Sequence, residues 1–219
     1  MVRIKVCCIS SVEEARMAVE AGASALGLVS EMPSGPGVIT EEMISVIAAT
    51  IPPAVGSFLL TSKKTADQII KQQKKCGVNT IQICDSIELN EYRLLRQALP
   101  GISLVQVIHV RNEHSLDEAV TVAPFVNGIL LDSGNPDLSV KELGGTGRVH
   151  NWDISRQIVE QAPVPVFLAG GLKPENVAEA IRNVKPYGVD VCSGLRINGK
   201  LDSQKLQEFC ENARLADNN

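Results

Sequence analysis

Apolar and polar positions along the chain alternate between two periods. Short β-rich runs at about 3–7, 24–29, 54–60, 79–83, 102–108, 127–132, 165–168 and 188–192 are bounded by turn residues. Between them, at 12–21, 41–51, 66–75, 89–99, 115–122, 154–161, 175–184 and 203–215, apolar residues recur with helical spacing. Eight strands therefore alternate with eight helices over 219 residues, a unit of about 27 residues. That pattern predicts one α/β domain spanning 1–219, a single-domain (β/α)8 TIM barrel. A doubly wound open sheet is the alternative, but it usually needs fewer strands, and no G-x-G-x-x-G follows the first one.

Local signals support the boundaries. Ser10 and Ser11 precede Glu13 and Glu14, Thr40 precedes Glu41 and Glu42, and Pro174 opens a helix at Glu175. Gly22, Gly77 and Gly101 stand where helices should stop. The polar end 216–219 reads as a frayed tail.

Composition narrows the function classes. Hydrophobic residues at 44% and charged residues at 21% fit an ordinary globular domain, and a net charge of -4 provides no basic field for a phosphate backbone. No nucleic-acid partner is expected, nor a membrane: no apolar run approaches the roughly 20 residues of a span. The opening stretch is too short and broken for a signal segment, so the chain is expected to be soluble and cytoplasmic. Six cysteines are scattered through a chain large enough to do without disulfides, with no C-x-x-C and only three histidines. No metal site is expected, and the neighbours Cys7 and Cys8 should point to opposite faces of their strand instead of forming a redox or metal pair.

In a (β/α)8 barrel, chemistry gathers at the C-terminal ends of the strands. Lys5 and Cys7, two apart, share a face, and Asp190 on the last strand is the carboxylate best placed to pair with Lys5 inside the barrel, with Cys7 one layer nearer the mouth. Taken alone, Cys7 reads more readily as an inert core thiol than as a catalytic group, and Asp132 equally as a loop cap or a catalytic carboxylate. Gly170-Gly171 after strand 7 and Ser193-Gly194 after strand 8 suit a phosphate. The segments 30–39 and 133–151 are long loops of the kind that serve as lids or binding segments.

Ile4-Lys5-Val6-Cys7, Leu130-Leu131-Asp132, Gly144-Gly145-Thr146-Gly147 with Trp152, Ala169-Gly170-Gly171-Leu172 with Pro174-Glu175-Asn176-Val177, and Val189-Asp190-Val191-Cys192-Ser193-Gly194 keep order and spacing over nearly the whole chain. Together they resemble the phosphoribosylanthranilate isomerases. The resemblance implies a cofactor-free Amadori rearrangement in tryptophan biosynthesis, with Asp132 as general acid and Cys7 as general base. It implies a small phosphorylated sugar as substrate, and a monomer or homodimer. It also exposes departures. Gly37 stands where the family usually has an arginine for the anthranilate carboxylate, Gln82-Ile83-Cys84-Asp85 replaces Gln-Leu-His-Gly, and Cys8 replaces a glycine. Arg148 and Arg196 are candidate relocated cations, and Lys5, Gln82 and Cys84 are further candidate substrate contacts. A diverged isomerase of another phosphoribosylated amine and a noncatalytic phosphosugar-binding protein remain the alternatives.

Overall fold

Successive side chains on a strand face opposite ways, and here the two sets form two separate apolar clusters. In the computed structural model, which describes residues 1–217, eight parallel strands close into a barrel in chain order. They are β1 (Arg3–Val6), β2 (Ala25–Val29), β3 (Gly56–Thr61), β4 (Thr80–Ile83), β5 (Ser103–His109), β6 (Gly128–Asp132), β7 (Val166–Leu168) and β8 (Gly188–Val191). Outward residues such as Ile4, Leu26, Leu59, Ile81, Ile129 and Val189 pack under the helices, while Ala25, Phe58, Val105, Leu130 and Phe167 fill the barrel. The expected barrel is thus the observed one.

The helices are α1 (Val12–Glu20), α2 (Glu41–Ala48), α3 (Ala66–Cys76), α4 (Leu89–Ala98), α5 (His114–Val122), α6 (Trp152–Gln161), α7 (Val177–Val184) and α8 (Ser203–Asp217). Side-chain caps explain several starts: Ser11 accepts from the Glu14 N–H, Thr40 from Met43 and Asn151 from Asp153. Three expectations need correction. Helix α7 begins at Val177, because Asn176 spends its side chain on the preceding loop and Pro174 lies in a turn. Ala216 and Asp217 belong to α8, while Asn218 and Asn219, the rest of the expected tail, lie outside the described residues. A short antiparallel ribbon, Arg196–Ile197 with Lys200–Leu201, follows β8 where only a loop was expected.

Closure joins β1 to β8, with Lys5 opposite Asp190. Lys5 is wholly buried inside the barrel, its Nζ 2.9 Å from Asp190 Oδ1 and 5.3 Å from the Phe58 ring centroid. Space for it comes from Gly27 on β2: a Cβ there would stand 3.1 Å from Lys5 Nζ and 2.7 Å from Cys7 Sγ. Burial opposes the charge on Lys5, but Asp190, assisted by Cys7 and Cys84, holds its pKa above the usual lysine value. Burial also pushes the Asp190 carboxyl upward, with Lys5 pulling against it. A lysine that stays protonated beside a carboxyl at 2.9 Å makes the pair ionic.

A second tie crosses the same seam, a disulfide in a chain large enough to do without one. Cys8, just beyond β1, is disulfide-bonded to Cys192, just beyond β8, with Cα atoms 5.8 Å apart. Cys7, Cys76, Cys84 and Cys210 are free and buried. Strand alternation fails for Cys8 because β1 ends at Val6 and Cys8 takes a left-handed backbone conformation, φ 61°. Both neighbouring cysteines consequently join the inner cluster.

Lys5→Met leaves a buried carboxylate unpaired and is expected to cost about 3–5 kcal/mol in chemical denaturation. Adding Asp190→Leu should recover most of that loss, and a double variant as unstable as the single one would show that the pair is not what Lys5 contributes. Reductant, or Cys192→Ala, should lower stability by about 2–4 kcal/mol. Superimposable unfolding curves with and without reductant would contradict the tie.

Candidate active site

The C-terminal ends of the strands open into a cleft with about 670 Å³ of empty space, the open solvent at its mouth included. Cys7 from β1, Gln82 and Cys84 from β4, Asp132 from β6 and Asp190 from β8 face it. The loop after β2 contributes Met32, Ser34 and Pro36. The loop after β6 contributes Leu143 to Gly147, and Gly170, Gly171 and Ser193 close the β7–β8 side. Of the residues expected in the site, Cys7, Asp132, Gln82, Cys84, Gly170, Gly171 and Ser193 are therefore brought together. Gly194 stands behind Ser193, tight against the Leu172 carbonyl.

Burial dominates the electrostatics. It raises the Asp132 carboxyl above the usual aspartate value, against the Ser133 N–H bound to Oδ1 at 2.7 Å and the nearby His109. A Cβ on Gly144 would stand 2.6 Å from Asp132 Oδ2, so the β6 loop lies directly on the carboxyl. Burial likewise pushes the Cys7 thiol up to about 11, with Lys5 beneath pulling it down and Asp190 and Asp132 pushing it up. The expectation that Lys5 lowers Cys7 has the right sign, but desolvation is the larger effect. His109, opposite Asp132 in the β5–β6 register, shares Nε2 with the Cys84 carbonyl at 3.1 Å. Since a carbonyl only accepts, Nε2 carries the proton, and burial keeps the ring's pKa below normal.

Three expected substrate contacts fall elsewhere. Lys5 is sealed beneath the floor, behind Asp190, with a side chain of zero exposure. Arg148 turns outward to an ion pair with Glu142. Arg196 makes a two-oxygen contact with Glu14 and also donates to the carbonyls of Cys8 and Gly199. Burial works against the charge on Glu14, yet Arg196 and the backbone N–H groups of Leu201 and Ser10 bring its pKa down to about 2. Arg196 thus clamps the backbone around Cys8 from outside the cleft.

The substitutions at 8 and 37 prove to be one event in space. Gly37 has φ 80°, and a Cβ there would stand 2.5 Å from Cys8 Cβ and 3.0 Å from Cys8 Sγ. With a cysteine in the left-handed position at 8, no side chain fits at 37. Nothing in the linear spacing, with 28 residues between the partners of the Cys8–Pro36 contact, marks that relation.

The β7 loop carries Gly170 and Gly171 at φ 82° and 64°, with the Asn176 side chain bracing it: Oδ1 accepts from Lys173 N at 2.9 Å and Nδ2 donates to Gly171 O at 3.0 Å. The β6 loop meets this loop, since a Cβ on Gly171 would stand 2.7 Å from the Arg148 carbonyl carbon. Ser133 and Thr146 hydroxyls, 2.6 Å apart, tie the two ends of that loop together beside Asp132. Leu143 is not marked in the sequence, and Ser34 and Thr146 appear there only as members of the 30–39 loop and of the Gly144-Gly145-Thr146-Gly147 run, without a site role of their own.

The chain is similar to known proteins over nearly its whole length. The family model for N-(5'phosphoribosyl)anthranilate (PRA) isomerase matches residues 4–212. An N-(5'-phosphoribosyl)anthranilate isomerase 2 from Methanosarcina mazei is 37% identical, covering 97% of this chain and 94% of its own. The crystal structure of phosphoribosyl anthranilate isomerase from Thermotoga maritima superimposes with a TM-score of 0.81 at 31% identity, covering 98% of this chain and 99% of that one. A crystal structure of phosphoribosyl anthranilate isomerase in complex with reduced 1-(o-carboxyphenylamino)-1-deoxyribulose 5-phosphate gives 0.79 at 29% identity, with the same coverage. With its barrel, its mouth and its sequence matched from the first strand into the last helix, the chain belongs to the N-(5'-phosphoribosyl)anthranilate isomerase family.

Proposed function

We infer that the chain is an isomerase that converts N-(5'-phosphoribosyl)anthranilate into its 1-deoxyribulose 5-phosphate isomer, an aminoaldose-to-aminoketose step of tryptophan biosynthesis. The observation that carries this reading is the pairing, in one cleft, of a buried carboxyl with a raised pKa and a thiol on the neighbouring floor, beside two glycine-containing loops. Membership of the family supports it throughout.

Asp132 acts as the general acid. Its proton goes to the ribose ring oxygen as the C1′–O bond breaks, and the nitrogen lone pair forms the C1′=N bond of an iminium. Desolvation keeps the carboxyl protonated enough to donate. Cys7 acts as the general base: its thiolate takes the C2′ proton, the C–H electrons form the C1′=C2′ bond, and the iminium collapses to an enolamine. Tautomerisation of that enol completes the aminoketose. Lys5 is the positioning charge under Cys7, since a fixed ammonium favours the thiolate that burial resists. The backbone N–H groups of Gly170, Gly171, Ser193 and Gly194 hold the substrate phosphate, supported by the left-handed glycines and the Asn176 brace. Gln82 and Cys84 form the floor under the sugar.

Cys7→Ser and Asp132→Asn should each lower turnover by about 10²- to 10⁴-fold with the fold intact by circular dichroism, and a fully active variant of either would refute its role. The active form needs Asp132 protonated and Cys7 ionised. Burial pushes the Cys7 thiol up to about 11, so its thiolate is a minority form at neutral pH, and wherever the Asp132 pKa lies below that of Cys7 the active form is a constant minority between the two. Below the Asp132 pKa, activity falls because Cys7 gains protons faster than Asp132 retains them. Above about 11 it falls because the last protonated Asp132 is lost while Cys7 is already ionised. A plot of kcat/KM against pH should therefore have its alkaline limb near 11. A narrow maximum at neutral pH would overturn the assignment.

A further inference from the structure

Among the described residues, no lysine, arginine or histidine faces the cleft, yet an anthranilate aglycone brings a carboxylate. A carboxylate leaving water for such a cleft needs a charge-assisted partner. The question is which cation at the rim is free to serve, given that position 37 admits no side chain.

Three rim cations are matched one to one: Arg148 with Glu142, Arg196 with Glu14, and Lys63 with Glu31. One group differs. Asp85, just past β4 and only 3% exposed, receives two ammonium groups, Lys141 Nζ at 2.6 Å and Lys64 Nζ at 3.2 Å. The acidic neighbour Asp137, which also raises the Lys141 pKa, is itself paired with Arg111. The cluster therefore keeps one positive charge in surplus, and its lysine side chains remain 33% and 52% exposed.

Its place in the fold suits an aglycone. The proposed phosphate loops follow β7 and β8, and in a closed eight-strand barrel β3 and β4 stand diametrically across the mouth. Lys64 follows β3 and Asp85 follows β4. Lys141 reaches the same point from the β6 loop, and its carbonyl accepts from Ser34 Oγ at 2.6 Å, so the β2, β4 and β6 loops meet at this residue. Ser34, Leu143 and Cys84, each bonded to or near in sequence to a member of the cluster, all line the cleft.

Resting on the isomerase reading, we propose that Lys141, with Lys64 beside it, holds the carboxylate of the substrate's aglycone, and that Asp85 orients the two ammonium groups.

The test measures the Kd of reduced 1-(o-carboxyphenylamino)-1-deoxyribulose 5-phosphate and of its phenylamino counterpart lacking the carboxyl group. Wild type should prefer the carboxylated ligand by about 10- to 100-fold. Lys141→Met should remove most of that preference while leaving the affinity for the counterpart unchanged, Lys64→Met should remove less, and Lys141→Arg should retain it. Equal weakening of both ligands by Lys141→Met would show a merely structural role and overturn the proposal. So would an unchanged preference, or a wild type that binds both ligands alike. Failure of wild type to bind either ligand would overturn the isomerase reading itself, and this proposal with it.

Discussion

A single charge sealed inside the barrel sets the terms for the rest of the structure. Lys5 has no exposure, and an unpaired ammonium there would cost several kcal/mol. Asp190 has to stand beside it, which requires β8 to dock on β1 in the register that puts residue 5 opposite residue 190. Gly27 has to lack a side chain, because β2 passes within contact of the same ammonium. Barrel closure, strand register and the empty space under the mouth are thus conditions of one ion pair. The Cys8–Cys192 disulfide and the Arg196–Glu14 clamp hold the same seam a layer higher.

Desolvation then gives the mouth its chemistry. The same dry interior that opposes ionisation raises Asp132 and Cys7 together, so more of the carboxyl keeps its proton and less of the thiol is thiolate. Lys5 answers the second effect from below without touching the cleft. A buried cation favours the thiolate electrostatically while staying out of the cleft, so the ion pair at the barrel seam also acts on the Cys7 thiol.

The loops are where this chain departs from the pattern its sequence resembles, and the departures are linked through space. A cysteine in a left-handed conformation at 8 excludes any side chain at 37, and the disulfide carries that cysteine to Cys192 beside Ser193. No side chain fits at 37, and the lysines around Asp85 carry a surplus positive charge. Two single-residue oddities in the sequence become one rearrangement of a pocket wall.

The amino-acid sequence by itself determined the eight-fold alternation, most element boundaries, the Lys5–Asp190 pair, and the presence of Cys7, Asp132 and the two glycine-containing loops at one mouth. Those follow from local periodicity and from the rule that a closed barrel sets strand 8 beside strand 1, so short-range spacing carries them. Only the tertiary structure decided that Cys8 pairs with Cys192, that Gly37 yields to Cys8, that Arg148 and Arg196 turn away from the cleft, and that Lys64, Asp85 and Lys141 converge. These depend on where loops of irregular backbone lie relative to one another, over separations as long as the 184 residues between Cys8 and Cys192, and no repeat of 2 or 3.6 residues encodes such contacts.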